Sequence, residues 1–408
     1  MAASTRESRG LVGTWAVVLI MLALLHLTNG AVGYYYGWWE SAVYVASVDF
    51  PLKSPIDPYY GYRLLPPLIV RHLPVPHPLG FTLVDYASLG GAAWLLVGIL
   101  VDEGIRRPLA LVAAALFLSF PCSTKWLLVY NSGPDAFYLL LIAAAYRCIQ
   151  RGRWGLFSLL LVAGVFTKVS ILVLVPVAWL HGRRSPLSSS SLARLGSALP
   201  ALAAFWLVQH VWPPAPRVVG VPMEQSVLDH LHMKLFEDST LLPGVLKQWV
   251  EMPMSFFIVF GVVAIMLVVH LPETLRALRD RPAMLAFLAG NSVAMFMGSY
   301  DVERCQMYGA IPVLYLWARV VQDRLGIYDR WWVATPLAGA QLWLSEFGLR
   351  EPIRYELYMS HYMAPRVALT FLITWIVLGL LVIWLNVRAA GGAPPRSRWW
   401  PGLDSPPA

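Results

Sequence analysis

RGRWGLFSLLLVAGVFTKVSILVLVPVAWLHGRR, Arg151 to Arg184, is an apolar run bracketed by arginines, and its length decides how the whole chain is threaded. About 27 residues lie between the two basic brackets, whereas two full membrane spans need about 40 and one needs about 20. A single span would put the brackets on opposite sides of a membrane and invert every later segment. HGRRSPLSSSSLAR would then lie outside, against the excess of Lys and Arg in cytoplasmic loops. Two short helices, WGLFSLLLVAGVF and VSILVLVPVAWL, meeting at Thr167-Lys168, keep both brackets on one side. Irregular backbone at membrane depth needs protein or a water-filled cavity around it, so this reading places a cavity near Lys168.

The rest of the chain carries the same pattern. Of 408 residues, 58% are hydrophobic and only 13% charged, with mean hydropathy +0.60; soluble domains carry about a quarter charged residues. LVGTWAVVLIMLALLHLT (Leu11 to Thr28) and VALTFLITWIVLGLLVIWL (Val367 to Leu385) reach the length of a span. Period-two alternation is absent, which excludes a transmembrane barrel. The expected fold is all-α and polytopic. Seven arginine clusters recur between apolar stretches, at Arg6/Arg9, Arg106/Arg107, Arg147/Arg151/Arg153, Arg183/Arg184/Arg194, Arg276/Arg279/Arg281, Arg319/Arg324/Arg330 and Arg388/Arg396/Arg398. With all of them cytoplasmic, the chain makes about 12 crossings and both termini are cytoplasmic. The expected location is the cell membrane, and the first apolar run reads as an uncleaved anchor. Residues 1–388 form one helical domain with outer loops at about 29–80 and 213–251; residues 389–408 form a disordered cytoplasmic tail. The net charge of +8 belongs to these arginines and to anionic membrane lipids, not to a nucleic acid. The three cysteines make no disulfide framework; Cys122 and Cys305 both fall outside and read as buried thiols before a pair.

Most carboxylates gather on the outer side. The first outer loop holds Glu40, Asp49 and Asp57, then Arg63 in YRLLPPLIVRHL, a segment too short to span. Acidic groups close to hydrocarbon mark function by default, although ordinary solvated loop charges remain the other reading. Arg63 suits bidentate contact with phosphate or snorkelling to lipid head groups. Asp135 opens a helix after NSGP, where a first-turn acid is stabilising. In the 213–251 loop, SVLDHLHMKLFEDS reads as an interfacial amphipathic helix, and no metal-ligand set is legible. Asp301, Glu303 and Arg304 lie in a short turn, either as an ion pair that holds the fold or with Arg304 facing the same cavity as the first loop.

The order of these features resembles that of the C-fold glycosyltransferases (GT-C), membrane enzymes that take sugar from a polyprenyl-phosphate donor. The resemblance rests on the acidic first loop, YGYRLLPPLIV closing it, NSGPDAFYLLLIAAAYRCIQRGRWGLFSLLLVAGVFTKVSILVLVPVAWL, and SYDVERCQMYGAIPVLYL. It implies transfer to a glycan, lipid or protein acceptor, with Glu40 or Asp49, and Asp57 third, as catalytic base. It leaves room for a divalent cation, Mg or Mn. Chemistry of this kind needs a carboxylate to take the acceptor proton and cations for the departing phosphate, for which Arg63, Lys168 and Arg304 stand on the outer side, beside Asp301 and Glu303. The family often has Asp where Glu40 stands, so an inactive relative is an alternative. So is a transporter or flippase for a lipid-linked saccharide, which would place charge within the spans of both halves.

Overall fold

The computed structural model describes residues 63–120, 133–182, 188–210, 244–298, 305–347 and 365–389, with parts of 14–23 and 44–49. Glu40, Asp57, Cys122, most of the 213–251 loop including its amphipathic segment, Asp301, Glu303, Arg304 and the tail after Ala389 lie outside the described residues. Among the described residues the chain is all helical, with no strand.

The continuously described helices are α1 (Leu65–Arg71), α2 (His77–Asp102), α3 (Arg107–Ser119), α4 (Asp135–Gln150), α5 (Trp154–Val165), α6 (Leu174–Leu180), α7 (Ser189–Gly196) and α8 (Leu199–His210). After them come α9 (Gly244–Phe260), α10 (Val262–Val269), α11 (Leu271–Asp280), α12 (Pro282–Gly298), α13 (Ala310–Asp323), α14 (Leu325–Tyr328), α15 (Trp331–Phe347) and α16 (Pro365–Ala389). Helix α9 starts at Gly244, inside the stretch expected to be loop, because Val245, Leu246, Trp249 and Val250 continue the apolar run backwards. Two helices, His77–Asp102 and Leu372–Ala389, are long and apolar enough to cross a membrane. Met252–Phe260 with Val262–Val269 makes a third if the bent pair is one span. On α16 Leu372, Ile373, Ile376, Val377 and Leu380 are all exposed, an apolar face that water does not favour.

The run from Trp154 to Leu180 is two helical arms with a break. Helix α5 stops when the amides of Thr167 and Lys168 both turn back to the Gly164 carbonyl, at 2.9 and 2.6 Å. Lys168 is extended, and a 3₁₀ turn, Val169–Val173, leads into α6. The return is so close that a Cβ on Gly164 would sit 2.5 Å from Ile171 Cγ1.

Among the described residues, arginines from several of these clusters meet at one end of the bundle. Arg147 pairs with Asp102 and donates to the Gly98 carbonyl at 2.5 Å, and Arg281 approaches Glu103 at 3.4 Å. The Arg106 amide donates to Gln322 Oε1 at 2.8 Å, Arg107 reaches Thr14 in the first apolar run at 2.7 Å, and Arg194 reaches the His181 carbonyl at 2.6 Å. Arg330 donates to the carbonyl of Ala389 at 2.9 Å, tying down the end of α16. Asp102 and Glu103 stand at the C-terminus of α2, where the helix dipole opposes negative charge; the guanidinium groups from other helices offset it.

Helices α9 and α10 meet at 115°. Gly261 makes the corner at φ 53°, ψ −126°, open to glycine without steric cost. Its added Cβ would lie 2.7 Å from Gln341 Oε1, the atom that accepts the Val262 amide at 2.9 Å. Gly261→Ala should therefore cost about 1–3 kcal/mol, read as a lower melting temperature in detergent; an unchanged melting temperature would show that the corner is not built this way.

At the other end of α10, His270 is buried and shares a 2.6 Å hydrogen bond with the Tyr328 hydroxyl, which in turn meets Asn386 at 3.0 Å. Burial first, then the charge of Arg324, push the imidazole down to about 4, with Glu273 opposing. An unfolded histidine titrates near 6.5, so as pH falls from about 6.5 towards 4 the unfolded chain takes up the proton that the fold refuses. Stability should fall across that window by at most about 1.4 kcal/mol per pH unit. Melting curves at pH 7 and pH 5 should show the loss in the native protein and a smaller one in His270→Gln.

Candidate functional site

At the end of the bundle away from the arginines, Lys168 is the centre of a buried polar cluster. The break after α5 leaves its backbone extended, and its side chain, 12% exposed, points into the bundle. Its Nζ donates to Asp135 Oδ1 at 3.0 Å and to the Tyr308 hydroxyl at 2.5 Å. The Tyr308 hydroxyl donates to the same carboxylate oxygen, closing a three-membered ring of bonds. Asp135 is the first residue of α4 and 3% exposed. It is a first-turn acid, as its position in the sequence implies, but its charge is answered by Lys168 rather than left to the helix dipole. Tyr308 lies in the 3₁₀ turn Met307–Gly309 that leads into α13. Its ring meets Tyr138 edge-on at 4.7 Å, and the Tyr138 hydroxyl accepts from Ser170 Oγ at 2.8 Å.

Asp85 adds a second carboxyl. It lies on α2, against which α4 packs, and is 2% exposed. No hydrogen bond or ion pair to it occurs among the described residues. A carboxyl buried in this way calls for a proton or a partner.

Arg63 is brought to this region by backbone. The Leu65 amide, at the start of α1, donates to the Phe166 carbonyl at 3.2 Å, so the segments bearing Arg63 and Lys168 lie side by side. Arg63 Nη1 donates to the Tyr44 hydroxyl at 2.7 Å. Tyr44 and Val48, one helical turn apart, bury against Val70, Phe81 and Val84, with Phe137 packed alongside; these flank Asp85 and Asp135 in the chain. Asp49 turns away from that face. Its side chain is 62% exposed and stands 3.9 Å from His77 Nε2 at the start of α2. The described residues thus bring the segments of Arg63 and Lys168 and the segment following Arg304 together, while Asp49 is exposed beside His77.

The sequence reading gave Asp85 no part, although a lone carboxylate inside FTLVDYASLGGAAWLLVGILV is itself a signal. Tyr308 and Tyr138 carried none, since a tyrosine in an apolar run reads as core or interface. Cys148 and Cys305 are buried free thiols. Among the described residues no three His, Cys, Asp or Glu side chains gather to hold a metal. Compared with protein-family models, with curated proteins and with solved structures, the chain matches none of them.

Removing one partner of a buried pair leaves the other charge uncompensated, at a cost of about 3–5 kcal/mol. Lys168→Met should therefore destabilise the protein strongly, and Lys168→Met with Asp135→Asn should recover much of the loss. Melting temperatures of the two single variants and the double variant read this directly. Additive losses would mean that the two side chains do not pair.

Proposed function

We propose that this chain is a membrane glycosyltransferase of the GT-C kind, transferring sugar from a polyprenyl-phosphate donor to a glycan, lipid or protein acceptor. In this reading it crosses the cell membrane about 12 times, with the arginine end and both termini in the cytoplasm. The short helices flanking Lys168 then count as two crossings.

The observation that carries the reading is the bond between Leu65 and Phe166, with Tyr308 on Lys168. It gathers segments distant in sequence, two of them bearing cations, at the end opposite the arginine clusters. A donor phosphate held there meets Arg63, a side chain whose planar fork matches phosphate oxygens. Lys168 supplies positive charge while remaining anchored by Asp135. The base is a carboxylate of the first outer segment, Glu40 or Asp49, with Asp57 behind them. It accepts the proton of the acceptor hydroxyl as that oxygen bonds to the sugar carbon, and the sugar–phosphate bond breaks to release the lipid phosphate. Asp49, exposed beside His77, is open to an acceptor from outside in this reading. Asp301, Glu303 and Arg304 would complete the donor site.

Asp85 favours a second reading, a proton-coupled transporter of a lipid-linked saccharide. Buried carboxyls on spans serve proton relays, and Asp85 lies within the longest described apolar helix.

One experiment separates the two. Membranes containing Glu40→Gln, Asp49→Asn, their double variant or Asp85→Asn are given a synthetic polyprenyl-phosphate sugar and an acceptor extract. Transfer should fall by about 10²–10⁴-fold in one of the first two, with the protein still inserted. Full transfer in the double variant would remove the base from this segment. Absence of transfer in the native protein, with saccharide translocation lost only in Asp85→Asn, would establish the transporter.

A further inference from the structure

A cavity of ≈ 270 Å³ lies between α9, α12 and the start of α13, with Phe256, Leu288 and Val313 as apolar walls and Asn291, Ser292 and Gln306 as polar ones. None of the described residues that line it is charged, and neither reading above uses it. Asn291 is 4% exposed and Gln306 8%, and each bonds through only one end of its amide. Asn291 Nδ2 donates to the Cys305 carbonyl at 3.2 Å. Gln306 Nε2 donates to the Met252 carbonyl at 3.3 Å and to Ser255 Oγ at 3.2 Å. Backbone carbonyls only accept, so these bonds fix which end of each amide is nitrogen. Both side-chain oxygens are left over: no hydrogen bond to Asn291 Oδ1 or Gln306 Oε1 occurs among the described residues. Neither oxygen is sealed within the protein, so both open onto the cavity that their residues line.

The two acceptors stand together. The carbonyl that Asn291 holds belongs to the peptide bond between Cys305 and Gln306, and a Cβ on Gly309, in the turn that follows, would lie 3.2 Å from Asn291 Nδ2. Buried amide oxygens are normally hydrogen-bonded. Neutral acceptors beside apolar walls suit a neutral molecule with neighbouring O–H donors and an apolar body; an ion would meet no countercharge. The position says from where such a molecule comes. Asn291 is nine residues beyond Pro282, the first residue of α12. That is roughly 14 Å from the arginine end at about 1.5 Å per residue, near the middle of a hydrocarbon layer about 30 Å thick. Pro253 and Ser292 line the cavity and are exposed, so it opens between α9 and α12. Leu285 and Val293, on either side of Ser292 along α12, are exposed as well, so apolar surface borders the opening.

We propose that this cavity binds the diol head of a neutral lipid of the monoacylglycerol class, its two hydroxyls donating to Asn291 Oδ1 and Gln306 Oε1 and its chain leaving between Pro253 and Ser292. The inference rests on the membrane placement proposed above and not on sugar transfer.

The full chain in lauryldimethylamine oxide, a detergent without hydroxyl groups, tests it by thermal unfolding with monooleoylglycerol, methyl oleate or free glycerol. Monooleoylglycerol in large excess should raise the melting temperature saturably, by roughly 2–4 °C. Methyl oleate, which has the chain and no donor, and glycerol, which has the donors and no chain, should each give less than half of that. Leu288→Phe narrows the cavity from a half-buried position without touching either amide; it should fold and lose most of the shift. Gln306→Leu removes one acceptor and should at least halve the shift; should it fail to fold, Leu288→Phe and the three probes on the native protein still decide. Equal shifts with monooleoylglycerol and methyl oleate, an undiminished shift in Leu288→Phe, or no shift with monooleoylglycerol overturns the proposal. Asp49→Asn, made to test transfer, should keep the shift, and its loss there would move the lipid to the transfer site and overturn the assignment. A native protein that shows the shift and no transfer would support the lipid site while counting against the enzyme.

Discussion

A lysine ammonium inside an apolar bundle must be answered by negative charge, and the bond from Lys168 to Asp135 meets that demand. Much of the end opposite the arginines is arranged around it. Helix α5 breaks so that Lys168 can turn inward, α4 begins at the carboxylate that receives it, and the turn before α13 brings the Tyr308 hydroxyl to both. Desolvation makes each of these contacts costly to remove one at a time, so the three segments hold each other in register.

The opposite end uses the same physics with the signs reversed. Asp102 and Glu103 sit where the α2 dipole opposes them, and arginines from α4 and from the α11–α12 junction compensate. A bundle pinned at both ends by charge compensation can keep apolar faces such as that of α16 turned outward. It can also tolerate corners, as at Gly261, where Gln341 from another helix takes the amide that the bend releases. Polar groups thus act as joints between helices that are otherwise apolar.

The functional reading follows from where those joints leave charge over. At the end opposite the arginines, the segments of Arg63 and Lys168 lie side by side, with the buried Asp135 on Lys168. That arrangement suits the proposed anionic lipid donor. It is a consequence of side chains placed by different helices and does not reside in any one segment.

The helical class, the bracketing of apolar runs by arginine and the break at Thr167-Lys168 were legible in the chain itself. Hydropathy and charge are local properties, and a run too short for two full spans admits few foldings. Arg63 and Lys168 stood out for the same reason, as cations next to apolar runs. What the chain could not disclose was pairing. That Asp135 answers Lys168, that Tyr308 joins them across more than a hundred residues, and that Asp85 is buried depend on which helix faces which. Helix α2 shows the limit plainly: its residues are apolar nearly all round, so no periodicity marks the face that packs on α4 or buries Asp85. Only the tertiary structure decides those contacts, because the energy that selects them comes from compensating buried charge between segments, not from the preference of any one segment for its own helix.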